Sequence, residues 1–310
     1  MGPVDFRSLG VREFGTIYEG LLESELSVAE TDLKNVIRGK HKDSYIPCLE
    51  GEDPSVRKGK IYLHNSSGTR KSTGSYYTKH FAVEHLLDKS LEIAIDHHFK
   101  FLDSLDELEA SEAFFDFKVA DIAMGSGHFL VAAVDRIESR FSNYLSNRNL
   151  PLVFQELAYL RKSAIEALGE TVHSYPEIED NSLLRRQIAR RCIYGIDINE
   201  VAVQLSRVAL WIHTFVPGLP LSLLERNLTC GNSLIGIGKL SEFEEKLLED
   251  GTETLFSYNV QEMFLGSAQE DLARIGKISE ANQNEINDVK KAWRDSDESI
   301  ASAKVLCDIL

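Results

Sequence analysis

The chain has 310 residues, 43% of them apolar and 27% charged, with a net charge of −15. That length can bury a sizeable core as one large domain or two smaller ones. No apolar run reaches membrane-spanning length and the N-terminus lacks a signal-peptide core, so a cytoplasmic protein is expected; the acidic balance argues against a general grip on nucleic acid.

Taken in chain order, Phe14, Ile17, Leu21 and Leu22 recur at helical spacing in "SLGVREFGTIYEGLLESEL". Residues 40–75 are rich in Gly, Ser, Lys and Pro and read as loop, with a short strand at "KIYLHN". Arg57–His80 carries six basic residues and no acid. A basic segment in an acidic chain points to a local anionic ligand, although on charge alone a solvated loop is the better reading. "YTKHFAVEHLLDKSLEIAIDHHFKFLDSL" predicts a long helix with Thr78 as its N-cap. "FDFKVADIA" reads as a strand, and the following helix places Phe129, Ala133 and Ile137 on one face. Residues 151–191 read as helical and end in "RRQIARR", taken as an exposed helix face.

"CIYGIDI" is a second buried strand. Asn199 can cap the next helix, whose Ala202, Leu205, Val208 and Ile212 form one face, with Trp211 and Phe215 assigned to the core. "VPGLPLSLLERNLTCGNSLIGIG" is irregular with a short strand-like end. From Ser241 onward the pattern is helical and acidic, with 16 acidic and 7 basic residues, a net of −9. "ASAKVLCDIL" stops inside an apolar helical pattern, which suggests a chain cut from a longer protein. Cys48, Cys192, Cys230 and Cys307 are scattered without a Cys-x-x-Cys spacing, so reduced thiols are expected and no metal site.

The stretch that carries chemistry is "VADIAMGSGHFL", a strand, a glycine turn and a helix start. Glycines let a backbone approach a ligand closely, and a helix N-terminus offers amides. A dinucleotide fingerprint would place a third glycine where Leu130 stands, and its acid would follow the turn, whereas Asp121 precedes it. S-adenosylmethionine fits better, because it carries an ammonium and no phosphate. Asp121 at the end of the first strand suits the ammonium. Asp197 at the end of the second suits the ribose hydroxyls, with Ile198 against adenine. A helical insertion over residues 141–190 must then separate the two strands. Each piece alone has a plain structural explanation: glycine turns are common, and an Asp can simply cap a helix.

"DIAMGSGHFL" resembles the cofactor motif of DNA adenine-N6 methyltransferases. "RKSTGSYYTKHFAVEHLL", "VREFGTIYEGLLE" and the block "CIYGIDINEVAVQLSRVALWIHTFVPGLPLSLLERNLTCGNSLIG" resemble the branch that includes fused Type IIG restriction–modification enzymes and related phage-defence methyltransferases. The resemblance covers roughly residues 10–240. It implies a partial doubly wound (Rossmann-like) α/β core with S-adenosylmethionine as cofactor and DNA as partner. It further implies that Tyr77 and Thr78 close over the methionine end. Asp121, Ala123, Gly125, Ser126, Gly127 and Phe129 would belong to the main cofactor loop, Asp197 and Ile198 to the ribose and adenine side, and Asn232 would lie beside the adenine ring. The sequence departs from the family at Ile122, Met124 and Lys79, where Pro, Cys and Pro are usual.

The family works on a flipped adenine held by an (Asn/Asp/Ser)-Pro-Pro-aromatic loop. The seven prolines here, Pro3, Pro47, Pro54, Pro151, Pro176, Pro217 and Pro220, include no adjacent pair, so no catalytic residue is assigned. The expected organisation is a mainly helical region over 1–110, a cofactor-binding core over 111–240, and an acidic helical extension over 241–310. The expected function is the cofactor-binding portion of a DNA adenine-N6 methyltransferase in restriction–modification or phage defence, inactive alone, with the DNA-gripping surface beyond Leu310. The alternatives are an RNA or protein methyltransferase, and a non-catalytic scaffold that keeps the cofactor fold.

Overall fold

The computed structural model of the chain describes residues 24–37, 43–49, 51–65, 78–169, 177–235, 271–272, 274–301 and 304–305. The chain divides into two compact units, Met1–Lys79 and His80–Leu310.

In the first unit the described residues are mainly strand, not helix. Strands β1 (Ser24–Val28) and β4 (Ile61–Asn65) pair antiparallel, as do β2 (Leu33–Ile37) and β3 (Asp43–Pro47). The registers run from Ser24 opposite Asn65 and from Leu33 opposite Pro47. Only the "KIYLHN" strand was legible; the other three are masked by interspersed charge and by turn residues, and are held by pairing that is non-local in sequence. Tyr62 packs between Tyr45 (4.9 Å between ring centroids) and His64 (5.1 Å). Arg57, Lys58 and Lys60 of the basic segment are exposed, as a solvated loop would have them. The helical lead-in ahead of Ser24 lies outside the described residues.

The second unit is built on a parallel three-stranded sheet in the order β5 (Val119–Asp121), β6 (Ile193–Asp197), β7 (Leu228–Cys230). It is a mixed helix-and-sheet unit, compatible with an α/β fold. Helices α1 (His80–Lys89), α2 (Leu91–Asp103) and α3 (Glu107–Ala113) precede the sheet. The long pattern from Tyr77 is thus two helices, separated at Ser90, whose hydroxyl donates back to the Leu86 carbonyl (2.7 Å). The first of them starts at His80, one residue later than an N-cap at Thr78 would set it. Asp106 and Glu109 form a capping box at α3.

Helix α4 (His128–Asn147) buries Leu130, Val131, Ala133, Val134, Ile137 and Phe141, while Phe129 is only half-buried. It packs on β5, β6, α1 and α2. Acids recur every four residues along α1 and α2, and two arginines four apart on α4 meet them. Arg136 reaches Glu84 (2.5 Å), Asp88 (2.6 Å) and Glu92 (2.8 Å), and Arg140 reaches Asp96 (2.5 Å) and Glu92. Arg148 closes α2, donating to the carbonyl of Leu102 in its last turn (2.7 Å) and to that of Leu105 just beyond it (2.8 Å).

Helices α5 (Pro151–Leu168) and α6 (Asp180–Arg191) form the insertion between the strands. The "RRQIARR" face of α6 is not exposed. Arg186 and Arg190 are buried together with Gln187, Ile188 and Ala189. Arg190 lies 3.6 Å from Glu280, and both side chains are 0% exposed. Arg226 approaches the same carboxylate (3.9 Å), and Arg186 donates to the Glu280 carbonyl (3.1 Å). Glu156 on α5 also approaches Arg190 (3.8 Å) and Arg191 (3.2 Å), and the fully buried acid, Glu280, lies about ninety residues downstream in sequence, where no local pattern shows it. Burial pushes the Arg190 and Arg186 guanidinium groups down to about 10, with Glu280 opposing.

Helix α7 (Glu200–His213) packs on β6 and β7. Asn199 caps it as expected, accepting from the amides of Val201 (2.9 Å) and Ala202 (3.4 Å). Its buried stripe is Ala202, Val203, Ser206, Ala209 and Leu210, whereas Leu205, Val208 and Ile212 are half-buried. The stripe is displaced because the turn before α4 presses on Ser206. Trp211 is half-buried with its indole N–H on the Ser222 carbonyl (2.7 Å), and Phe215 is exposed. Helix α8 (Gln283–Ser299) packs through Val289 and Ala292 on Ile275 and Leu223.

Glu280 also holds a left-handed backbone (φ 56°), unusual for a residue with a side chain, and accepts from the Leu223 amide (3.1 Å). Neutralising it in Glu280→Gln removes the fully buried acid of the cluster and leaves Arg190 only the charge of Glu156 (3.8 Å). The expected loss is roughly 3–5 kcal/mol, read as a lower urea midpoint; an unchanged midpoint would refute the role given to this cluster.

Candidate functional site

The carboxyl ends of the three parallel strands carry Asp121, Asp197 and Cys230, aligned by a register that sets Asp121 opposite Gly195 and Asp197 opposite Cys230. The glycine turn 122–127 sits over this edge and is held from several directions. The Gly125 amide donates to Asp197 Oδ2 (2.8 Å). The Met124 amide donates to the Ile196 carbonyl (3.1 Å), and Ser206 Oγ on α7 donates to the Gly125 carbonyl (2.7 Å). Within the turn the Gly127 amide closes on the Met124 carbonyl (2.9 Å).

Gly125 and Gly127 both adopt positive φ, 54° and 81°. For Gly127 space agrees with conformation, because a Cβ there would lie 3.1 Å from Ser206 Oγ. The sequence signals both glycines. It does not signal Gly195, inside β6, where a Cβ would come within 2.3 Å of Met124 Sδ. Met124 is 3% exposed and fills the space over that bare backbone. Ser206, Gly195 and Met124 are therefore structural determinants of the turn that motif reading passes over.

The two acids differ. Asp197 accepts one backbone amide at each oxygen: Oδ2 from Gly125, and Oδ1 from Asn199 (2.8 Å). Asp121 accepts a single amide, that of Ala123 (3.0 Å). Its carboxyl is pushed above the ordinary carboxylate range chiefly by burial; the Ala123 hydrogen bond opposes and the nearby Asp197 charge adds to the shift. His128, the first residue of α4, is held below the ordinary imidazole range by burial first and His80 second, against the pull of Glu84.

Among the other expected site residues, Ser126 and Phe129 are half-buried in the turn and the first turn of α4, and Ala123 is exposed. Ile198 is exposed (64%) directly after Asp197. Asn232 is exposed, and its Oδ1 accepts the Leu234 amide (2.9 Å). It follows Gly231, whose amide donates to the Asp197 carbonyl (2.9 Å), so it lies on the same edge of the sheet. Thr78 is half-buried just ahead of α1. Tyr77 lies outside the described residues. The edge thus combines one under-solvated carboxylate, a second with spare lone pairs, turn amides, and exposed apolar side chains at Ile122, Ile198 and Leu234. That set suits a ligand with a cation, hydroxyls and an apolar ring.

Among the described residues there is no cluster of His, Cys, Asp or Glu that could hold a metal, and no helix is long and apolar enough to cross a membrane. The described cysteines, Cys48, Cys192 and Cys230, are free thiols.

The chain is 26% identical over 166 residues to a Methanocaldococcus jannaschii protein provisionally described as a type II restriction enzyme and methyltransferase. The match covers 50% of this chain and 11% of that protein, so the chain spans only a small part of its relative. No protein-family model and no solved structure matches it. This distant similarity is consistent with a methyltransferase of the restriction–modification class.

Two outcomes follow. Gly195→Ala should cost roughly 1–3 kcal/mol by overpacking, and less when Met124 is already Ala, since the remaining neighbours, Leu130 and Leu228, stand farther off; additive losses in this double-mutant cycle would deny the shared volume. The second concerns pH. Because the Asp121 pKa is raised on folding, its contribution favours the folded chain below the ordinary carboxylate range and is lost as pH rises through the raised value. Asp121→Asn is therefore expected to melt higher than the parent at neutral pH, with the gap closing in acid. A gap independent of pH would contradict the buried-carboxylate account.

Proposed function

We propose that this chain is the S-adenosylmethionine-binding portion of a DNA adenine-N6 methyltransferase acting in restriction–modification or phage defence. One observation carries the reading: Asp121 and Asp197 end adjacent parallel strands and flank a turn of positive-φ glycines. In this reading the three strands are part of a doubly wound sheet and residues 111–240 form the cofactor-binding core.

The donor set fits the cofactor. Asp121, destabilised as an anion by burial, gains an ammonium partner. Each Asp197 oxygen has accepted one amide and keeps lone pairs for the ribose hydroxyls. Ile198 offers an apolar face to adenine, and the Asn232 amide group offers its hydrogen-bonding edge. The sulfonium methyl is what the cofactor supplies. Transfer then depends on in-line positioning of the adenine amine, the part of the work that falls to DNA-binding elements and a Pro-Pro loop. The lack of adjacent prolines in this sequence leaves that loop to other elements. The same lack is what favours the second reading, a scaffold that keeps the cofactor fold without catalysis.

Calorimetric titration of the chain with S-adenosylmethionine is expected to show one saturable site. Asp197→Ala should weaken it by at least about tenfold, since charge-assisted bonds to the ribose and the hold on the turn are lost together. No binding by the folded chain would sink the cofactor reading. N6-methyladenine in the DNA of a host expressing the intact gene separates a DNA enzyme from an RNA or protein methyltransferase and from a scaffold.

A further inference from the structure

A cavity of about 250 Å³ opens between α8 and the segment that leads into β7. It lies ahead of β7, at the amino ends of the parallel strands, whereas the glycine turn lies at their carboxyl ends. Its walls present Arg226, Lys290 and Arg294 against one acid, Glu225, with the Trp293 ring beside them. In a chain of net charge −15 this is a local reversal of sign.

Two of the three cations are unspent. Lys290 and Arg294 stand four residues apart on α8, both exposed, with no hydrogen bond or ion pair among the described residues. Like charges at that spacing repel one another across one helical turn. Arg226 differs from them: its side chain is only 10% exposed, and its Nε is buried with no acceptor among the described residues. Its other contacts, 3.3 Å to the Arg190 carbonyl and 3.9 Å to Glu280, engage Nη2 and share a carboxylate already opposed to Arg190. Arg226 lines the cavity with a guanidinium whose hydrogen-bonding capacity is only partly met within the described residues, so it brings positive charge to that wall.

We propose that this cavity binds the phosphate group of a nucleotide, held by Arg226, Lys290 and Arg294, with the base against Trp293. Three cationic groups facing one carboxylate match a phosphate, which offers three acceptor oxygens and up to two charges, better than a carboxylate. A ring beside the cations is the arrangement that adds stacking to phosphate contact. The volume admits one phosphate with its sugar or base at the mouth, not a larger ligand. The phosphate is that of a free nucleotide or of a nucleic-acid strand. The inference does not rest on the cofactor reading, since it uses none of the same residues.

The test is isothermal titration of the full chain at low salt with thymidine monophosphate, which lacks the adenine a cofactor site would recognise, and with a short oligothymidylate. Saturable binding of either is expected, weakened about tenfold or more in the Lys290→Gln/Arg294→Gln double variant, whose exposed positions leave the fold intact. Binding of the monophosphate alone assigns a free nucleotide; binding of the oligonucleotide, with affinity falling steeply as salt rises, assigns a strand. Trp293→Leu should weaken either probe while leaving the response to inorganic phosphate unchanged. No saturable heat with either probe, or equal binding by the double variant, overturns the proposal.

Discussion

The Asp197 carboxylate is the constraint on which the candidate site depends. One of its oxygens holds the Gly125 amide and the other the Asn199 amide. Those two amides belong to the turn that opens α4 and to the loop that opens α7, so a single side chain fixes the start of both helices against β6. Ser206 completes the arrangement by tying α7 back to the Gly125 carbonyl. The positive φ of Gly125 and Gly127, the close fit of Gly127 on Ser206, and the emergence of Asp121 beside them are consistent with that one fixed point. A carboxylate that accepts backbone amides is also rigid, which is what a binding edge requires.

Two ionic systems frame the sheet, and they do opposite physical work. The acids of α1 and α2 that meet Arg136 and Arg140 are partly exposed, screened by salt and individually weak, and their value lies in number and spacing. The cluster of Arg190, Arg186 and Arg226 around Glu280 is desolvated, and each member is costly without the others. It ties the residues ahead of α8 to the amino ends of β6 and β7, so the C-terminal helix belongs to the fold of this unit. The left-handed backbone of Glu280 is tolerated because its carbonyl, its carboxylate and the buried arginines all require it there.

What could be read from the sequence follows the range of the interactions. The strand–turn–helix at Asp121, the strand ending at Asp197 and the Asn199 cap are local patterns, and the structure holds each of them. The direction of "RRQIARR" was not legible, because basic residues normally face water and their acid lies far along the chain. The buried face of α7 was misread for a similar reason: a small serine takes the place of a large apolar residue where the turn comes close. Gly195 was silent, since a glycine in a strand carries no periodicity signal. The strands ahead of residue 65 were missed because antiparallel pairs are specified by their partners more than by their own composition.

Met124 and Gly195 occupy what is in effect one volume, shared between a turn and a strand distant in sequence. Position 195 can carry no side chain while position 124 holds a long one, and a smaller residue at 124 would leave a void under the turn, although Leu130 (3.0 Å) and Leu228 (3.1 Å) also crowd a Cβ at 195. The two positions are therefore expected to vary as a pair. Among relatives of this chain the residue at the turn should foretell the one in the strand, and a turn grafted from a relative without its strand partner would fail through packing before any change in its ligand chemistry could be judged.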